Sequence, residues 1–255
     1  MQYEEQYGHA RIILAKVFVL LTLLDDTFDM HATLEEGRKL NEAIQRWEES
    51  AVLLLPEYLK KYYVRLMNTF TEIELELQTL CRHYQQESEW FHSSYIPSFD
   101  DHLKCSLISS GIPMLSISSI VGMGDEATKE AFEWAGGCTD AVQACTVVGR
   151  LMNDITSFKR GKNKLDVASS VDSYINQYHV TSEVALATLD NLVQDAWKTS
   201  NQARFHHHAL LPLVKRIIRL TKSMTLMYHD NVDRNSSSRG NKDKIEQQFV
   251  EAIPL

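Results

Sequence analysis

Apolar residues recur every three or four positions along most of this chain, and the strict alternation that marks a half-buried strand is hard to find. The spacing predicts one long helix over 4–30, apolar on several sides and therefore central. Thr33 and Glu36 form a capping-box pattern that opens the next. Behind Pro56, Leu59, Tyr63, Leu66 and Phe70 sit at helical spacing on a helix that runs on to Tyr84. Another starts after Pro97 and breaks near Ser110-Gly111, with Pro113 just beyond. Gly136-Gly137 divide two further helical stretches, the second from about Cys138 to Lys159. Thr181 or Ser182 caps a helix through Trp197, and residues 202–228 form the last long one. A polar loop (231–244) leads to a short closing helix and tail. This makes roughly ten helices with no convincing strand, repeat or internal linker, so residues 1–255 read as one all-α domain packed as a helical bundle.

Composition narrows the function classes. A hydrophobic share of 44% supplies a large core, and a net charge of −8 excludes a general nucleic-acid binder, which carries a basic face. The four cysteines form no CxxC pair and read as small buried residues of a reducing compartment. The most apolar stretch, residues 13–24, is too short for a membrane span and contains Lys16. It runs into carboxylates rather than into a small-residue cleavage site, so it is no signal peptide either.

Those carboxylates are the first candidate chemistry. Asp25, Asp26 and Asp29 close an apolar helix, where the dipole disfavours anions. Asp25 and Asp29 are four apart and share a helix face, with Asp26 beside them. Such a cluster of hard oxygens suits Mg²⁺, which binds through one or two carboxylates, waters and substrate phosphates; taken alone, it reads equally well as a solvated acidic helix end. A second cluster shifts the balance. Asn153, Asp154 and Ser157 end another apolar helix, with Asn153 and Ser157 again four apart. Arg150 lies one turn earlier, where its fork suits a phosphate, and Lys159, Lys162 and Lys164 follow.

With both clusters in view, the chain resembles the C-terminal catalytic domain of plant class I terpene synthases, most closely the sesquiterpene synthases of grasses. "LLTLLDDTFDMHATLEEGRKLNEAIQRWEES" is similar to that family's aspartate-rich motif and following helix, and "GRLMNDITSFKRGKNKLDVASSVDSYINQY" to its second metal motif. "WFHSSYIPSF" and the closing "IPL" extend the likeness over essentially the whole chain. The resemblance implies the class I terpenoid synthase helical bundle and three Mg²⁺ ions, with Mn²⁺ as the alternative, binding the diphosphate of a prenyl substrate. Asp25, Asp29, Asn153 and Ser157 would hold metal, Asp26 would support them, and Arg150 and Lys162 would contact diphosphate. The allylic cation would then cyclise in an apolar, water-free cavity.

The same resemblance assigns Tyr228 to the cavity and Asp233 to a loop that caps the site. On the residues alone, Tyr228 spans core and surface and Asp233 is a solvated loop carboxylate. The break at Ser109-Ser110-Gly111 matches the family's kinked helix, though a proline-associated kink reads the same way. His206, His207 and His208 cannot face one ion from adjacent helical positions and read as surface and partial core; Trp90 and Trp134 read as core.

Three departures stand out. Gly161 occupies the position where the second metal motif ends in Glu, Asn235 stands where the capping loop carries Tyr, and the chain starts downstream of the family's arginine pair and N-terminal helical domain. The expectation is therefore the catalytic portion of a monomeric cytoplasmic sesquiterpene synthase acting on farnesyl diphosphate, with a plastid location left open. The alternatives are a truncated non-catalytic relic that retains metal and diphosphate binding, or a monoterpene synthase using geranyl diphosphate. A chain-elongating prenyl synthase would carry a second D-D-x-x-D, and N-D-I-T-S argues against it.

Overall fold

The computed structural model describes residues 7–69, 74–121, 123–137, 139–161, 168–228 and 232–234. Eleven α-helices and no strand occur among them. The central element is α8 (Asp140–Arg160), which packs against α5 (Phe99–Ser109), α6 (Ile112–Ser118), α9 (Ser170–Tyr178), α10 (Ser182–His206) and α11 (Leu211–Met227). Its composition explains the position. Ala141, Val142, Ala144, Cys145, Val148 and Leu151 are buried around much of its circumference, and small residues let neighbours approach closely.

The first helix, α1 (Gly8–Asp26), is shorter than the expected 4–30 and is not buried all round. Leu14, Val17, Leu21 and Leu24 face the core, whereas Ile12 and Val19 are each 57% exposed and Leu23 is 47% exposed. These three form an apolar stripe along the opposite side. At its end the chain widens into a π-helical turn over Thr27–His31, closed by Ala32 N–H donating to the Thr27 carbonyl at 2.8 Å. Such turns recur at functional sites. Phe28 anchors this one, buried against Tyr84 with ring centroids 5.8 Å apart. The helix α2 (Leu34–Arg46) then starts as expected, with Thr33 and Glu36 forming the complete capping box.

Elsewhere some helix boundaries differ from those the periodicity suggests. Within the stretch expected as one helix from Pro56 to Tyr84, α3 (Glu57–Thr69) and α4 (Glu74–His92) are helical, and α4 runs on past Tyr84; residues 70–73, Phe70 among them, lie outside the described residues. α10 continues past Trp197 to His206, and Pro212 sits in the first turn of α11, so the expected 202–228 helix belongs to both. Proline at a helix start loses no hydrogen bond, whereas mid-helix it would. The break after α5 is made by Gly111, whose φ of +69° is left-handed, and α6 follows with Pro113 in its first turn.

The histidine run behaves as structure. His206 Nδ1 and His207 Nε2 approach the Asp140 carboxylate at 3.3 and 2.8 Å, tying the end of α10 to the start of α8. The edge of Trp134 packs on His207, and Trp134 is buried as expected, but Trp90 is only partly buried and lines an open groove beside Tyr95.

One buried hydroxyl fastens the α2–α3 corner. Tyr63 is fully buried, and its O–H is within donating reach of the carbonyls of Ala43 (2.9 Å) and Glu48 (3.0 Å), where α2 ends. Tyr63→Phe leaves those acceptors short of a partner and should reduce unfolding free energy by about 1–2 kcal/mol in urea denaturation. A loss within error would mean that ring packing alone holds the corner.

Candidate active site

One oxygen donor from each cluster, Asp25 and Asn153, lines the same cavity, whereas Asp26, Asp29 and Ser157 are not part of its lining. Asp25 from α1 and Arg150 and Asn153 from α8 line it, together with Tyr84 from α4 and Tyr228 just past α11. The cavity encloses ≈ 150 Å³, and its inner wall is apolar, including Leu21, Ile112, Leu115 and Met224.

Arg150 organises the polar rim. Its guanidinium lies 2.9 Å from Asp154 Oδ1, and Asp154 is only 2% exposed. Asp154 Oδ2 accepts from the Ser170 N–H at 2.8 Å and lies 3.4 Å from His102 Nε2. Asp154 thus turns into the core and does not join Asn153 at the cleft. Burial alone would raise its pKa, but Arg150, His102 and Ser170 outweigh that and hold the carboxyl far below the usual range. Burial would likewise lower the pKa of Arg150; the charges of Asp154, Glu87 and Asp25 reverse this and keep it firmly protonated.

The acidic side is the opposite case. Burial, then the charge of Glu87, push the Asp25 carboxyl up to about 7, against the pull of Arg150 and a hydrogen bond from Tyr84. Asp29 keeps solvent-exposed surface at the mouth, yet the crowded protein around its carboxyl and the charges of Asp25 and Glu87 raise it well above the usual range. Asp26 is exposed beside them and adds to the field at both. Several carboxylates therefore face one guanidinium that Asp154 already engages.

On the far side, Asn153 hydrogen-bonds the Tyr228 hydroxyl, while burial and the charge of Asp233 raise the pKa of that phenol. Asp233 is 9% exposed and so is not the solvated loop residue that its setting suggests. Ser157 lies one turn beyond Asn153 on the same face of α8, partly buried. Lys162 lies outside the described residues.

Sequence reasoning missed Glu87, Tyr84 and His102. Glu87 had a legible signal, because it continues the buried stripe of α4 formed by Leu77, Leu80, Cys81 and Tyr84. A carboxylate on an apolar face needs a partner. Tyr84 and His102 carry no local pattern that would mark them as part of a site.

Residues 1–199 match the family profile described as "Terpene synthase family, metal binding domain". The chain belongs to the terpene synthase family. It is 53% identical over 270 residues to the tau-cadinol synthase of Zea mays, covering all of this chain and 49% of that protein. It is 46% identical over 273 residues to the alpha-copaene synthase of the same plant, covering all of this chain and 51% of the relative. The terpene synthase chain thus spans about half the length of the curated relatives it matches. Among solved structures, isoprene synthase from grey poplar leaves, in complex with three Mg²⁺ ions and dimethylallyl-S-thiolodiphosphate, superimposes with a TM-score of 0.85 at 26% identity, over 99% of this chain and 51% of that one.

The donor set of the terpene synthase site suits a hard divalent cation. Glu87 is buried, and its Oε1 has no hydrogen-bond partner. An unpartnered carboxylate oxygen and two carboxyls of raised pKa are donors that a divalent cation would satisfy. Among the described residues no three His, Cys, Asp or Glu side chains converge on a single ion position, so water and phosphate oxygens would have to complete the shell of any ion held there.

Gly161, where the family pattern leads one to expect Glu, sits in a backbone conformation that favours glycine. It follows the last residue of α8 with φ +91°. A β-carbon there would meet nothing within 4 Å, but its φ is one that L side chains rarely adopt. Glycine suits this turn, and a ligand side chain four residues past Ser157 would need a different helix end.

The raised Asp25 pKa makes stability depend on pH with a definite sign. Its folded value of about 7 exceeds the reference value of 3.8, so the stabilisation is complete below about pH 4 and is lost as pH rises through 7. The metal-free protein should therefore melt at progressively lower temperature from about pH 5 to 8, and Asp25→Asn should flatten that slope. Parallel slopes in scanning calorimetry would show that Asp25 titrates normally.

Proposed function

We propose that this chain carries the catalytic portion of a magnesium-dependent sesquiterpene synthase that ionises and cyclises farnesyl diphosphate. The observation that carries the reading is the surplus of carboxylates from α1 and α4 facing Arg150 and Asn153 across the mouth of an apolar cavity. Bound Mg²⁺ would supply Lewis acidity to the departing diphosphate. Asp25 and Asp29 would hold it on one wall, with Glu87 and Asp26 beside them, and Asn153 and Ser157 on the other. Three ions, with Mn²⁺ as a substitute, and monomeric action in the cytoplasm complete the proposal. The three described cysteines, all free and buried, are compatible with a reducing compartment. The farnesyl assignment is supported by the relatives, which include synthases of the sesquiterpenes tau-cadinol and alpha-copaene.

The chain's own residues divide the remaining work. Arg150, held by Asp154, presents a fixed positive charge where a diphosphate would sit. Phe18, Tyr84 and Tyr228 place aromatic rings on the cavity wall, and such faces stabilise a carbocation without attacking it. Leu21, Ile112, Leu115, Met224 and Met227 keep the interior dry. Asp233, whose charge acts on Tyr228, would cap that side of the rim.

Incubation with farnesyl diphosphate and Mg²⁺, followed by gas chromatography, tests the reading. Asp25→Ala and Asp29→Ala should each reduce terpene release by about a hundred-fold or more, and chelation should abolish it. Turnover that survives chelation, or a clear preference for geranyl diphosphate, would overturn the assignment.

A further inference from the structure

The least expected position on the cavity wall is a glycine in the middle of α8. Gly149 precedes Arg150 and lies one helical turn, about 6 Å, before Asn153 on the same face. A mid-helix glycine costs roughly 1 kcal/mol relative to alanine, so an account in terms of helix stability does not explain it. Its surroundings do. A β-carbon on Gly149 would fall inside van der Waals contact of Ile112 Cδ1, and would lie 3.3 Å from Met224 Cγ and 3.4 Å from its sulfur. Ile112 and Met224 are 4% and 8% exposed and line the same cavity.

We propose that Gly149 sets the length of hydrocarbon chain the cavity accepts, because Ile112 fills the space its missing side chain leaves. Ile112 and Gly149 both line the cavity, so the room that a methyl group at 149 needs is taken from it. The smaller space costs a longer prenyl chain, which must fold to fit, more than a shorter one. The inference rests on the reading that this cavity holds a prenyl chain, and adds a chain-length determinant that itself offers no side chain to metal or diphosphate.

The test is calorimetric titration of the 255-residue chain, in Mg²⁺, with inorganic diphosphate, geranyl thiodiphosphate and farnesyl thiodiphosphate, alongside thermal unfolding. Gly149→Ala should lower the farnesyl-to-geranyl affinity ratio by about ten-fold, in line with the usual penalty for overpacking. Ile112→Val removes the obstructing Cδ1, so Gly149→Ala/Ile112→Val should regain the parent ratio to within about three-fold. If Gly149→Ala alone does not fold, the comparison is between Ile112→Val and the double variant, and the added methyl should still lower the ratio. An unchanged ratio in every folded variant would show that Gly149 serves only helix packing and would overturn the proposal. A parent chain that binds neither prenyl analogue better than inorganic diphosphate would instead refute the functional reading itself, and this inference with it.

Discussion

The arrangement of the cleft turns on one partly buried cation, Arg150, whose side chain keeps 17% of its surface exposed. The Arg150 guanidinium is shared between Asp154, which anchors it to α5 and to the start of α9, and the carboxylates of α1 and α4. A buried charge survives only when paired and hydrogen-bonded, and breaking one partner of such a pair strands the other. Here the pairing is lopsided by design of the site. Asp154 satisfies Arg150 from the core side, so what Arg150 offers toward the cleft falls short of the acidic charge gathered there. The bundle is rigid where α8 carries Arg150, and electrostatically incomplete where α1 and α4 face it.

Much of this was legible in the chain. The all-α class, the capping box at Thr33, the Gly111 break and the carboxylate cluster rest on local rules that tertiary context did not override. Asp25 and Asn153 share a cavity because each ends an apolar stripe that the bundle must bury. What escaped was non-local or spread across several turns. Tyr84 and Glu87 belong to the site because α4 crosses the π-turn, a neighbourhood no local pattern encodes.

Asp154 shows a different limit. Within the motif it looked like one more oxygen at the cleft, yet it faces away from Asn153 because adjacent positions on a helix point about 100° apart. Its partners, His102 and the Ser170 N–H, come from helices distant in sequence. Gly161 shows the reverse. The residue that stands where a ligand was expected also has a backbone role, since its φ of +91° suits glycine at the end of α8.

The π-helical turn has a mechanical consequence. Asp25 lies in the last turn of α1, whereas Asp29 lies within the π-turn, so the widening of that turn sets how the two carboxylates are spaced. Beyond it, α2 extends for 13 residues, about 20 Å, and packs on α4. A change in that packing, or in the capped start of α2, would act on the turn that carries Asp29. Residues far from the cleft thereby gain purchase on the geometry in which a cation would be gripped.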